Sequence, residues 1–158
     1  MNDSDKFQIK LLTNFEKTLQ KVIRDRYRKD QAGQAEFVAL VGKFINILSV
    51  DPRPRPPLGH LEPWPKGTSV DGWEFWKLEF KMPKIYSGAA GQGRLIYLIN
   101  CIEKQVGLIW IYTHAEFEKR PPDKSLKSLL QDFIDSSEIL DQNNQSAEDI
   151  VGEKKNKS

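Results

Sequence analysis

An α+β domain is predicted, with an antiparallel sheet of about four strands, an N-terminal helical hairpin and a C-terminal helix packed on it. Three observations lead there. Two amphipathic helical patterns follow each other near the N-terminus, the period switches to two at Trp73, and the strand-like runs beyond are joined by short links. Consecutive strands with short links pair antiparallel, and the helices must cover the apolar face they leave.

Residues 7–12, FQIKLL, alternate as a short opening strand does. Thr13-Asn14-Phe15-Glu16 reads as a capping box, with the threonine oxygen taking an orphan N–H and the glutamate reaching back to the cap. Phe15, Leu19, Val22 and Ile23 form one helical stripe. Lys17, Lys21, Arg24, Arg26, Arg28 and Lys29 make the outer face strongly basic. Gly33 interrupts, and a second helix buries Phe37, Leu40, Val41, Phe44, Ile47 and Leu48; two helices this close form an antiparallel hairpin.

Residues 51–70 hold six of the nine prolines, so regular structure is not expected there. Leu61 and Trp64 are expected to pin this loop to the body, with His60 on the surface. From Trp73 the chain alternates. Trp76, Leu78, Phe80 and Met82 suit a core, whereas Trp73, Phe75, Lys77, Glu79 and Lys81 suit a working or exposed face. A glycine-rich connection (84–93) leads to strands at about 94–102 and 106–113, joined by Glu103-Lys104-Gln105. Pro121-Pro122-Asp123 starts a last helix carrying Leu126, Leu129, Leu130 and Phe133. The expected order is β-α-α-β-β-β-α. Residues 1–136 form the domain, and 137–158 a polar, acidic tail expected to be disordered.

At 158 residues the chain fits one domain with a respectable core. The net charge of +2 conceals an asymmetry: residues 1–130 hold 21 Lys/Arg against 15 Asp/Glu, residues 131–158 hold 3 against 7. A basic body attracts phosphate, although a solvated surface with a solubilising tail has the same totals. The single Cys101 lies in the apolar run LIYLINCI and is expected to be a buried structural thiol. The N-terminus has no signal-peptide core, and no run approaches the ~20 apolar residues of a membrane span, so a cytoplasmic protein that does not engage membrane is expected.

The chemistry converges on one place. Gly88, Gly91 and Gly93 have a GxG-like spacing but lie between two strands rather than before a helix N-terminus, so they form a connection and not a phosphate cradle. No Walker lysine, metal-ligand helix or Ser-His-Asp set appears, and neither metal nor cofactor is expected. Arg94 enters the strand GRLIYLI and His114 leaves the next, which points to an anion site with a titratable group. If the strands are neighbours, Lys77, Arg94 and His114 converge on one edge of the sheet. The competing readings are an Arg94 ion pair with Glu79 or Glu116, and a strand-end hydrogen bond for His114.

Order and residues together resemble the RelE/ParE/HigB superfamily of bacterial type II toxins, over about residues 7–135. The resemblance rests on FEKTLQKVI on the first helix, WKLEF and GRLIYLI on successive strands, and above all YTHAEFEK, which is similar to a Thr-His-Ala-Glu-Tyr/Phe segment of HigB-type members. It implies metal-independent cleavage of mRNA, often on the ribosome, and neutralisation by a separate antitoxin protein. In that chemistry the ribose 2′-OH attacks the adjacent phosphate, which requires a base, an acid and cations around the phosphorane. By position, Lys77, Arg94 and His114 match the catalytic places, with Lys77 and Arg94 on the phosphate and His114 moving a proton; Lys81 and Arg120 are candidate substrate-binding residues. Three positions depart from the pattern: Glu79 and Ala115 where cations are usual, and Phe117 where a tyrosine is. A ParE-like topoisomerase-binding inhibitor, or a non-catalytic RNA- or protein-binding member, is the alternative.

Overall fold

The computed structural model describes residues 5–137. In chain order they form β1 (Gln8–Leu11), α1 (Thr13–Tyr27), α2 (Gln31–Val50), β2 (Gly59–Leu61), β3 (Trp73–Lys81), a single 3-10 turn (Ala89–Gly91), β4 (Gln92–Asn100) and β5 (Gln105–Thr113), followed by α3 over residues 123–137. The sheet order is β1-β5-β4-β3-β2. The α+β class holds, with two differences from the expected sheet. β2 is a fifth strand inside the proline-rich segment, and β1 pairs with β5 in parallel.

Both differences follow from the path of the chain. Phe7 N–H donates to the Ser49 carbonyl at 2.7 Å, so the hairpin returns to where β1 began. The chain must then reach the far edge of the sheet, and the proline-rich segment carries it there. Its prolines leave room for a strand only at Gly59-His60-Leu61, an edge position with one pairing partner. The Tyr97 hydroxyl donates to the Pro52 carbonyl at 2.7 Å. Arg53 forks onto Glu74, with two bonds of 2.9 Å. Trp64 packs against Phe75, centroids 5.7 Å apart, but Leu61 is 66% exposed and pins nothing.

The helix starts also differ from expectation. Leu12 is the N-cap of α1 and no side chain caps it, so the capping box is not used. Thr18 and Asn14 turn instead to β5: the Asn14 amide donates to the Ile109 carbonyl at 3.0 Å, and the Thr18 hydroxyl accepts from Ile111 N–H at 3.1 Å. Those bonds fall at an irregularity in the ladder, where Ile96 faces Trp110 but Tyr97 faces Leu108. The bulge leaves backbone groups of β5 unpaired by β4, and α1 supplies partners. Gly33 does not break the helices; it lies in the first turn of α2, whose N-cap Asp30 accepts its N–H at 2.9 Å.

Two cores flank the sheet. On one side Phe15, Val22, Phe37, Val41, Phe44 and Leu48 of the hairpin pack on Leu78, Leu95, Tyr97, Ile99, Leu108 and Ile111. On the other, Leu126, Leu130 and Ile134 of α3 cover Phe75, Ile96, Leu98, Ile109 and Tyr112. Burial on both faces explains why β4 and β5 read as unbroken apolar runs. It also revises the second face of β3, whose Trp73–Phe75 end is core and whose Lys77–Glu79 end is open. By length and composition α2 is long and apolar enough to cross a membrane, which the search for an unbroken run overlooked; its large side chains pack on the sheet. Cys101 is half-buried at the end of β4 rather than fully enclosed. Of the predicted acidic tail, only Ser137 lies among the described residues.

Candidate functional site

A cleft of about 620 Å³ opens where α3 stops covering the sheet. Its floor is the open end of β3 and β4, bearing Lys77, Glu79 and Arg94. One wall is the segment after β2, Glu62 and Pro63; the other runs from His114 through Glu118, Lys119 and Arg120 to the start of α3. The strand register accounts for the floor. Glu79 faces Arg94 across β3–β4, and Arg94 faces Tyr112 across β4–β5. His114 lies two residues past Tyr112, its N–H donating to the Gln92 carbonyl at 2.9 Å.

Four of the five residues singled out from the sequence, Lys77, Arg94, His114 and Arg120, line this cleft. Lys81 does not. It stands at the exposed end of β3 and lines a separate depression with Tyr86 and Gln92, because the strand carries it past the cleft's edge.

Charge pairing inside the cleft is the feature that sequence reasoning missed. Glu62, only 8% exposed, accepts from Lys77 Nζ through Oε1 and from Arg120 Nη1 through Oε2, both at 3.0 Å. Arg120 also holds Asp123 (2.9 Å) and the Pro63 carbonyl (2.6 Å), and lies 5.9 Å above the Phe75 ring. It ties both walls together. Lys77 reaches Glu79 Oε1 at 3.3 Å as well. Arg94 is less committed: Nη1 donates to the Gly93 carbonyl at 2.8 Å, and Nε stands 3.9 Å from Glu79 Oε1. Glu116, the other suggested partner of Arg94, instead lies 3.5 Å from Lys21 of α1 and accepts from Thr113 N–H. Among the described residues, the His114 ring has no hydrogen-bonded or ion-paired partner.

Four cations (Lys77, Arg94, Lys119, Arg120) therefore share the cleft with four carboxylates (Glu62, Glu79, Glu118, Asp123). With His114 neutral the lining carries no net charge; protonated, it carries one positive charge. Arg94 and His114 present the donors free to meet an anion. His60 adds a third protonatable group at the edge, with Nε2 2.8 Å from the Pro57 carbonyl and 3.9 Å from Glu79 Oε2. No periodic signal marked Glu62, a lone acid in a proline-rich loop; only the pairing of β2 with β3 brings it to Lys77.

No protein-family model and no curated protein matches the sequence. Among solved structures the chain is similar to one in the crystal structure of the archaeal RelE-RelB complex from Pyrococcus horikoshii OT3. The identity is 16% and the TM-score 0.43, covering 68% of this chain and 94% of that one. The chemistry has to be read from this chain's own residues.

Proposed function

We propose that the protein is a toxin of the RelE/ParE/HigB kind, a metal-independent endoribonuclease that cuts mRNA in the cytoplasm and is held in check by a separate antitoxin. The observation that carries this reading is the meeting of Arg94, Lys77 and His114 in one open cleft on the sheet rim. Arg94 offers a planar fork with unengaged N–H groups to a phosphodiester. Lys77 adds positive charge beneath it, and His114 moves one proton of the transesterification. Arg120 fixes the walls between which the strand would lie. The motif resemblance supports the same assignment. An antitoxin would meet the exposed cations of α1 (Lys17, Lys21, Arg24, Arg28) with an acidic segment.

A second reading has its own support. Every arginine or lysine named above in the cleft has a carboxylate within 4 Å, which favours a binding member that inhibits a topoisomerase, or holds a partner, without cutting RNA. Induced expression with mapping of RNA 5′ ends separates the two. Discrete cuts bearing 5′-OH ends, lost in Arg94→Ala, support the ribonuclease. DNA damage without such cuts supports the inhibitor, and an Arg94→Ala protein as toxic as the parent removes the phosphate role.

A further inference from the structure

In-line transesterification at phosphorus needs two proton-transfer groups, one on each side of the phosphate, and the reading above supplies only His114. The strand register places the second. Glu79, Arg94 and Tyr112 form one row across β3, β4 and β5, and His114 follows Tyr112 on the same face. Neighbouring strands are about 4.8 Å apart, so Arg94 sits centrally with Glu79 one strand to one side and His114 one strand to the other. A phosphodiester held on the Arg94 fork then has a carboxylate facing one apical oxygen and an imidazole facing the other. We infer that Glu79 is the general base of this site and His114 its general acid, which rests on the ribonuclease reading.

Glu79 fits the role better than the other carboxylates nearby. Glu62 is almost fully enclosed between two ion pairs of 3.0 Å, and Asp123 is held by Arg120 at 2.9 Å. The Glu79 side chain is 35% exposed, and its contacts with Lys77, Arg94 and His60, at 3.3, 3.9 and 3.9 Å, are looser. Its oxygens keep lone pairs directed to the open cleft, and the cations beside it screen its charge from the phosphate. In the reaction, a Glu79 oxygen takes the proton of the ribose 2′-OH while the 2′-oxygen bonds to the adjacent phosphorus. The bond from phosphorus to the 5′-oxygen breaks, and that oxygen takes the proton of the His114 imidazolium. A 2′,3′-cyclic phosphate and a 5′-OH result. Exchange with water then returns Glu79 to carboxylate and His114 to imidazolium.

The test uses the full chain and two single-stranded RNA oligonucleotides containing a mapped cut, one natural and one with sulfur at the 5′-bridging position. A thiolate leaves without a proton, so sulfur bypasses the acid but not the base. Glu79→Gln is expected to slow single-turnover cleavage of the natural oligonucleotide about 10²–10⁴-fold, with no recovery on the sulfur substrate. Glu79→Asp should retain part of the rate, and His114→Ala should be slow on oxygen and recover on sulfur. Unchanged melting and oligonucleotide binding show that Glu79→Gln is folded and binds. Parental rates for Glu79→Gln, or its recovery on sulfur, overturn the assignment while leaving the ribonuclease reading standing. A parent protein that cuts neither substrate overturns both.

Discussion

Replacing Glu62 by glutamine should weaken the fold and strengthen RNA binding at once. The carboxylate bridges Lys77 and Arg120 at 3.0 Å on each side and is almost entirely enclosed. Hydrogen bonds to charged groups contribute roughly 1.5–3 kcal/mol each. Glutamine keeps one acceptor oxygen for one cation and turns an NH₂ toward the other. Lys77 can fall back on Glu79, and Arg120 on Asp123 and Pro63. One charged contact is therefore lost, and the net penalty is about 2 kcal/mol, below the ~3–5 kcal/mol of a fully broken buried pair. For a chain of this size that lowers Tm by about 6 °C. The cleft meanwhile gains one net positive charge. If one more phosphate is neutralised, the slope of log affinity against log salt for single-stranded RNA steepens by about 0.7. Thermal melts and a salt titration of oligonucleotide binding, on parent and variant, give both readouts. A Tm within about 1 °C of the parent would show Glu62 to be an ordinary surface acid. A destabilised variant with an unchanged salt slope would show that nucleic acid does not use this cleft.

Three further outcomes are expected. At Gly93, next to Arg94, an added Cβ would lie 2.6 Å from Phe80 Cζ, against a ring packed on Phe44 at 4.8 Å. Gly93→Ala should therefore cost about 1–3 kcal/mol by urea unfolding, and less in a Phe80→Leu background. The Arg53 guanidinium, through its hydrogen bonds, holds the Glu74 carboxyl at about 2, below its ordinary 4.5. A depressed carboxyl stabilises fully above the ordinary value and loses that contribution as pH falls through the folded one. Melting temperature should drop between pH 4.5 and 2, and Glu74→Gln should flatten the profile in that window. Tyr97→Phe removes the buried donor to the Pro52 carbonyl; a loss of about 1 kcal/mol and faster proteolysis within residues 51–58 are expected.

Local pattern predicted most of the elements because their faces repeat at fixed spacing. The stripes of α1 and α2, the alternation of β3 and the β4–β5 hairpin all read correctly from periodicity. Start signals were less dependable. Thr13-Asn14-Phe15-Glu16 has capping-box chemistry, but the bulge on β5 takes Asn14 and Thr18 for its own unpaired groups. Gly33 looked like a break because glycine is a poor helix interior, yet its missing Cβ is what admits Asp30 and Tyr27 so close. β2 escaped notice because three residues among prolines carry no period; its partner on β3 makes it a strand.

The chain's own pattern thus determined the α+β class, the basic outer face of α1, and the delivery of Arg94 and His114 to neighbouring strand ends, since each depends on residues close in sequence. Tertiary structure alone decided the rest: parallel β1, a covering helix on each side of the sheet, and a carboxylate from a proline-rich edge placed between Lys77 and Arg120. Register across strands sets which charges meet. No local pattern encodes that pairing, because the partners are brought together only when the sheet closes around them.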